Sequence, residues 1–137
     1  MFIQVVLPEQ LDFKKFVILQ REAYSEILSK SGISDDYMKP EYYQWKYSPP
    51  AGSAKIALVW EGNEIVAANA MFPLWIINRD TQIIGWQSCD TATLPHARGK
   101  GYFGACLKAL KNELRDNEVF FGFPNKNSQR GFVKVLG

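Results

Sequence analysis

Apolar residues recur along the chain with two different spacings, and the spacing changes from segment to segment. Five segments are short apolar or alternating runs bounded by turn residues, which predicts β-strands: 2–7, 54–60, 64–71, 83–94 and 119–123. Four others place apolar residues three and four positions apart, which predicts helices: 13–30, 37–47, 102–115 and 128–136. Asp12 and Gly32 mark the ends of the first helix, and residues 34–36 are predicted to start the second.

The connections between these segments predict the topology of the sheet. Short turns join the second, third and fourth strands, so these strands should be antiparallel. The strands on either side of the 102–115 helix should be parallel and joined by a right-handed crossover. The chain is therefore predicted to be a single domain over residues 1–137, of the α+β class. Its mixed, mostly antiparallel sheet should carry helices on both faces.

Composition and charge narrow the classes of function. The chain has 137 residues and a formal net charge of +2, which is too small for the basic face of a nucleic-acid-binding protein. The longest uninterrupted apolar run, 70–77, is far shorter than the roughly 20 residues of a membrane span. The first residues lack the basic region of a signal peptide. We expect a cytoplasmic protein with no nucleic-acid or membrane partner. The two cysteines and single histidine are too few for a zinc site, so no metal is expected.

The start of the 102–115 helix has an inverted charge pattern. The amino end of a helix carries about half a positive charge and usually attracts acidic residues. Here no carboxylate occurs between Asp90 and Glu113, whereas Arg98 and Lys100 come just before the first turn. Three glycines allow the backbone to approach an anion: Gly99, Gly101 and Gly104. These features predict a phosphate-binding loop. The alternative is a turn shaped by glycines, with solvated charges and no ligand.

Two common phosphate-binding motifs do not fit this loop. A P-loop needs Ser or Thr after its lysine, and Gly101 follows Lys100 instead. Residues 99–104 match the glycine pattern of a dinucleotide-binding fold. However, Pro124 and Asn125 follow the next strand, where that fold places an acidic residue for the ribose. The loop therefore fits neither of these two motifs.

The segment 93–103, Thr-Leu-Pro-His-Ala-Arg-Gly-Lys-Gly-Tyr-Phe, resembles the coenzyme A-binding motif of the GCN5-related N-acetyltransferase (GNAT) family, Q/R-x-x-G-x-G/A. Arg98 and Gly101 match, while Phe103 stands where the last small residue is expected. The resemblance continues in Tyr-Gln-Trp-Lys-Tyr at 43–47 and in Gly-Phe-Pro-Asn at 122–125. It implies the fold of the acyl-CoA N-acyltransferases, in which two parallel strands splay apart and admit the pantetheine arm of acetyl-CoA.

The resemblance also implies roles for individual residues. The pyrophosphate would be held, mostly by backbone amides, at Arg98, Gly99, Lys100, Gly101, Tyr102 and Phe103. Thr91 and Thr93 would lie along the pantetheine arm, and Asn125 would face it. Asp90 is the candidate general base, with a structural capping carboxylate as the alternative. Gln87 stands where some relatives carry a glutamate base. Val133 stands where many carry the tyrosine that protonates the thiolate, so water or Tyr102 would have to substitute.

The implied function is transfer of an acetyl group from acetyl-CoA to a primary amine of a small molecule. The alternative is a non-catalytic CoA-binding or protein-interaction module with the same fold. The family normally continues with further strands beyond the point that corresponds to Gly137. We therefore expect either a fragment that lacks the C-terminal strands or a homodimer formed through the exposed strand 119–123.

The remaining reactive and aromatic residues have structural explanations. Cys106 lies on an apolar helix stripe and is predicted to be core, and Cys89 is predicted to be core or to line its strand. His96 is predicted to be an exposed loop residue, with a phosphate contact as the alternative. A dense aromatic group is predicted to pack a helix on the sheet, with an acceptor pocket as the alternative: Tyr37, Tyr42, Tyr43, Trp45 and Tyr47.

Overall fold

Five strands and four helices follow one another in the predicted order in the computed structural model, which describes residues 1–137. The strands are β1 (Phe2–Val6), β2 (Lys55–Glu61), β3 (Glu64–Asn78), β4 (Thr81–Thr93) and β5 (Val119–Phe121). The helices are α1 (Phe13–Ser31), α2 (Pro40–Lys46), α3 (Tyr102–Lys111) and α4 (Gln129–Leu136).

The strands form one sheet in the order β1-β2-β3-β4-β5. All neighbouring pairs are antiparallel except β4 and β5, which are parallel, so the predicted strand directions are confirmed. The parallel pair is short: only Gly85–Gln87 of β4 pairs with Val119–Phe121. β5 is an edge strand, and dimerisation through it stays a prediction.

Both faces of the sheet are covered. Four consecutive residues of β2, Ile56 to Val59, each expose 2% or less of their surface. Because successive strand residues point to opposite faces, this burial requires packing on both sides. α1 packs on β3 and β4, and α3 packs on β1 to β4. The predicted α+β class with helices on both faces is confirmed.

α1 begins and ends where the sequence predicts. The side chain of Asp12 accepts a hydrogen bond of 3.1 Å from the backbone N–H of Lys15 and so caps the first turn. Gly32 ends the helix in the left-handed conformation, with φ of 65°. None of the helices combines the length and the apolar character that crossing a bilayer requires.

The second helix starts later than predicted because of a proline. α2 begins at Pro40, and Lys39 is extended with φ of −129° and ψ of 155°. A proline ring excludes the preceding residue from the helical region, so the helix cannot include residues 37–39. The hydroxyl of Ser34 accepts a bond from the N–H of Asp36 within a turn instead of capping a helix.

Three other predicted bounds are wrong. β3 continues through Pro73 to Asn78, where it pairs with β4. Proline has no N–H to donate, but β2 pairs with β3 only up to Met71, so no strand on the β2 side needs a hydrogen bond from Pro73. α3 ends at Lys111, where the chain tightens into i→i−3 bonds that include Leu114 N–H to Lys111 C=O. β5 ends at Phe121 because its pairing with β4 ends at the pair Gln87 and Phe121.

α4 packs on α3 through an aromatic contact that has no spare room. The rings of Phe103 and Phe132 meet edge to face, with centroids 5.4 Å apart. A Cβ atom added to Gly131 would lie 2.6 Å from Cε1 of Phe103. The lack of a side chain at Gly131 therefore sets the distance between the two helices. At Gly104 of α3, by contrast, an added Cβ would meet only Val135, at 3.8 Å.

We expect Gly131→Ala to lower the free energy of unfolding by about 1 kcal/mol, because overpacking costs about 1–3 kcal/mol and helix propensity returns less than 1 kcal/mol. The matched variant Gly104→Ala should be neutral or stabilising by about 0.5 kcal/mol. Urea denaturation of both variants measures this. Equal stability of the two variants would contradict the packing argument.

Candidate functional site

β4 carries an irregularity next to its cleft-facing end. Ala68 pairs with Ala92 and Ala70 pairs with Cys89, so the two residues Asp90 and Thr91 lie opposite the single residue Asn69. This is a β-bulge, which bends the strand and re-aims its side chains. Asp90 has φ of 51°, a left-handed conformation that costs a residue with a Cβ roughly 1–2 kcal/mol.

Side chains from two helices hold Asp90 in this conformation. The ammonium group of Lys46 lies 3.0 Å from the carboxylate, and the hydroxyl of Tyr47 donates to it at 2.6 Å. The amide nitrogen of Gln20 donates to the backbone carbonyl of Asp90 at 3.0 Å. Tyr47 and Gln20 are both buried. The carboxylate that the sequence nominated as a general base is thus engaged at both oxygens by α2 and its C-cap.

The protonation states of these partners favour the same arrangement. Burial is the largest single influence on Lys46 and acts to lower its pKa. The charge of Asp90, together with smaller contributions from Cys89, the hydrogen bond to Asp90 and Tyr42, outweighs burial, so the pKa is raised. Burial, followed by the charge of Asp90, raises the pKa of Tyr47 well above its usual value. At neutral pH the ammonium group is therefore charged and the phenol keeps its proton, so both remain hydrogen-bond donors to Asp90.

The other side of the bulge is held by Asn69. Its side-chain nitrogen donates to Oγ of Ser88 at 3.0 Å and to Oγ1 of Thr91 at 2.6 Å. The hydroxyl of Tyr24, on α1, donates to the backbone carbonyl of Thr91. Residues on α1, α2 and β3 thus converge on one short segment of β4.

Beyond Gln87, β4 and β5 are no longer paired. A cleft of about 820 Å³ opens there between the end of β4, α1, the start of α3 and the segment that follows β5. This volume lies within the range of small-molecule and cofactor sites. Nine of the ten residues predicted from the sequence line it: Asp90, Thr91, Thr93, Arg98, Gly99, Gly101, Tyr102, Phe103 and Asn125. Eight of these residues lie within the stretch 90–103, and the fold brings Asn125 to them. The tenth, Lys100, does not line the cleft.

The loop at the rim of the cleft needs glycine for its backbone conformation. Gly99 and Gly101 have φ of 77° and 80°, in the left-handed region that residues with a Cβ rarely adopt. Gly101 is the N-cap of α3, and no side chain caps this end of the helix. The N–H groups of the first turn are therefore free to donate to an anion.

Arg98 and Lys100 have different surroundings. Arg98 is exposed and makes two long bonds to backbone carbonyls, at 3.3 Å to Thr93 and 3.4 Å to Ala23. The ammonium group of Lys100 lies 3.0 Å from Glu61, at the end of β2. The expectation that no acid is near these cations is wrong for Lys100, because Glu61 is distant in sequence and is brought there by the sheet.

Glu61 also binds the hydroxyl of Tyr102, which donates to it at 2.5 Å. The hydrogen bonds from Tyr102 and Lys100 lower the pKa of Glu61, so its carboxylate stays ionised at neutral pH. Tyr102 is the residue that the sequence offers as a substitute for the tyrosine that protonates the thiolate. Its hydroxyl instead donates its proton in a hydrogen bond to Glu61. Val133 is 64% exposed on α4 and does not line the cleft.

The cysteines and the histidine occupy the expected environments. Cys106 is buried in the core, and burial raises its pKa to about 12. Cys89 lines the cleft, and burial raises the pKa of its thiol well above the usual value, which disfavours a nucleophilic role. His96 is more than half exposed, with Nε2 3.9 Å from Glu64, and does not line the cleft.

The aromatic group divides into two parts. Tyr43 and Tyr47 are buried and pack edge to face on Phe16 of α1, as the predicted core role requires. Trp45 is 74% exposed and Tyr37 is 45% exposed, so these two do not belong to the core.

Sequence reasoning missed several residues at the site. Tyr24 follows the apolar spacing of α1, which is typical of a core residue, yet its hydroxyl donates to the backbone of β4. Asn69 is the one polar residue within the otherwise apolar run 65–77, and this was the available signal. Three further cleft-lining residues gave no sequence signal: Glu26, Ser128 and Phe132.

We expect Tyr47→Phe to lower the free energy of unfolding by about 1.5–2 kcal/mol, because it removes a buried hydrogen bond to a charged group. Tyr43→Phe is the matched control, since Tyr43 is equally buried and does not contact the carboxylate of Asp90. It should cost less than about 0.5 kcal/mol. Equal losses in urea denaturation would show that the bond to Asp90 does not stabilise the fold.

Comparisons with known proteins give the fold. No protein-family model and no curated protein matches the sequence. A predicted acetyltransferase from Clostridium acetobutylicum, solved with acetyl-CoA, is 19% identical with a TM-score of 0.70, and the match covers 97% of this chain and 88% of that chain. Glucosamine-6-phosphate N-acetyltransferase from Arabidopsis thaliana is 11% identical with a TM-score of 0.63, over 100% of this chain and 92% of that chain.

A third similar structure is an aminoglycoside acetyltransferase from an uncultured soil metagenomic sample. It is 16% identical with a TM-score of 0.69, and the match covers 100% of this chain and 91% of that chain. At these identities the likeness shows the fold and not the activity. The chain has the GNAT acetyltransferase fold that the resemblance in its sequence implied.

Proposed function

We propose that the protein is an N-acetyltransferase that moves an acetyl group from acetyl-CoA to a primary amine of a small molecule. The observation that carries this proposal is the cleft between the unpaired end of β4 and the segment that follows β5, with the glycine loop and the open amino end of α3 at its rim. A structural neighbour solved with acetyl-CoA supports the choice of cofactor.

The rim supplies the chemistry that a pyrophosphate needs. Free N–H groups and the positive end of the helix dipole favour an anion at the first turn of α3. Arg98 lines the cleft beside them and its contacts to carbonyls are long, so its guanidinium can turn to a phosphate at little cost. Gly99 and Gly101 leave nothing within 4 Å of where a Cβ would be, so the backbone is accessible.

The walls of the cleft suit the pantetheine arm. On the side that faces β5, β4 has no strand partner beyond Gln87. An extended ligand that carries amide groups could pair with this open edge as an added strand does. Thr91, Thr93 and Asn125 line the same space and offer polar side chains.

Within this proposal the chain must position the amine, accept its proton and polarise the acetyl carbonyl. The residues of the bulge line the cleft, so we propose that backbone N–H groups of this segment polarise the carbonyl. Asp90 remains the candidate base. It would accept a proton only by exchanging its contact with Lys46 or Tyr47.

The same contacts favour a second candidate function, a CoA-binding module without catalysis. Both oxygens of the Asp90 carboxylate are already engaged. The residue in the position of the family's tyrosine acid is the exposed Val133. A protein of this kind would bind acetyl-CoA in the same cleft and would not transfer the acetyl group.

We expect Arg98→Glu to weaken acetyl-CoA binding at least tenfold in isothermal titration calorimetry, because it places a negative charge where a phosphate would lie. Arg79→Glu makes the same change in charge at the β3–β4 turn, at the opposite end of β4, and should leave the affinity unchanged. An Arg98→Glu variant with wild-type affinity would remove the rim loop from the cofactor site.

We expect the wild-type protein to release free thiol from acetyl-CoA when a suitable primary amine is added, because attack by the amine expels the thiolate. A thiol-reactive dye with a panel of small amines measures the release, and the protein without amine is the control. Binding of acetyl-CoA together with no amine-dependent release across the panel would favour the non-catalytic module.

A further inference from the structure

We propose that Asn69 is a positioning residue that fixes the shape of the β4 wall along the pantetheine part of the cleft. This inference rests on the proposed function, since it assumes that acetyl-CoA occupies the cleft. It concerns a residue that lies outside the cleft lining and acts through the residues it holds.

Asn69 is a polar side chain in an apolar interior. It exposes none of its surface and lies in β3 among the buried residues Ala67, Ala68, Ala70 and Met71. A buried amide is costly unless its hydrogen-bonding groups find partners. Asn69 finds them on β4: its nitrogen donates to Ser88 and Thr91, and its oxygen accepts a bond of 3.1 Å from the hydroxyl of Ser88. No solvent molecule is needed to satisfy this amide.

The bulge is what allows one amide to reach both hydroxyls. In a regular strand, residues three positions apart point to opposite faces of the sheet. Ser88 and Thr91 are three positions apart, and both contact Asn69 because the extra residue of the bulge reverses the alternation. The hydrogen bonds of Asn69 therefore form only when the bulge is present, and they stabilise the bulged register over the regular one.

The register of β4 decides which groups face the cofactor. A slip of one residue in a strand moves its side chains to the other face. Ser88 and Thr91 line the cleft, so a change in the bulge would alter the wall of the cleft at both residues. The rim loop would be affected much less, since Arg98 to Gly101 follow a separate 3-10 turn at Pro95–Ala97. Loss of Asn69 should thus weaken contacts to the pantetheine arm and spare those to the nucleotide end.

The test compares two ligands by isothermal titration calorimetry: acetyl-CoA, and adenosine 3′,5′-bisphosphate, which has the nucleotide end and no pantetheine. For Asn69→Leu, which keeps the volume and removes the hydrogen bonds, we expect at least fivefold weaker binding of acetyl-CoA. Binding of the bisphosphate should stay within twofold of wild type. A purely structural role would not produce this difference between ligands, because general loosening of the fold would weaken both.

Thr91→Val provides a second variant, in which Asn69 loses its bond to Thr91 and keeps its bonds with Ser88. It should reproduce the selective loss, and adding Asn69→Leu to it should cause less than a further twofold loss if Asn69 acts through Thr91. Thr81→Val, at the exposed start of β4, is the matched control and should change neither affinity. Unchanged acetyl-CoA affinity in Asn69→Leu, or equal losses for both ligands, would overturn the assignment. Wild-type protein that binds neither ligand would overturn the proposed function itself, and the assignment with it.

Discussion

The functional side of this molecule depends on one irregularity in the sheet, the bulge at Asp90 and Thr91 in β4. The left-handed conformation of Asp90 is unfavourable for a residue with a side chain, so it persists only where surrounding contacts over-determine it. Those contacts come from α1, α2 and β3, through Gln20, Lys46 and Asn69 among others. Because β4 pairs with β5 only before the bulge, the sheet is continuous on one side of it and open on the other.

The electrostatics of the rim follow from weak, exposed contacts. Lys100 and Glu61 form an exposed ion pair, and such pairs contribute only about 0–1 kcal/mol. A phosphate ligand can therefore compete with Glu61 for Lys100. Arg98 makes only two long hydrogen bonds to backbone carbonyls, and no side chain caps the first N–H groups of α3. The buried contacts around Asp90 are of the opposite kind. They are shielded from water, and exchanging one of them during a reaction would cost much more.

Sequence predictions that rest on interactions between residues close together in the chain were more accurate than those that depend on distant residues. The caps of α1 at Asp12 and Gly32 are local and were predicted correctly. The start of α2 is set by Pro40. The end of β3 could not be predicted from Pro73 alone, because it also depends on where β2 stops pairing with β3. At the site, nine of ten nominated residues meet in one cleft, because the motif is nearly contiguous and its strands end at the same edge.

The sequence by itself determined the order of the elements, the strand directions and the glycine loop with its inverted charge, because each of these is written in residues close together along the chain. Only the tertiary structure decided the partners of the charged and polar groups. Glu61 reaches Lys100, Lys46 reaches Asp90, and Asn69 reaches Thr91, each from a different element. The physical reason is that hydrogen bonds and ion pairs act over a few ångströms of space. Which residues come within that distance is set by the packing of the helices on the sheet, not by their separation in sequence.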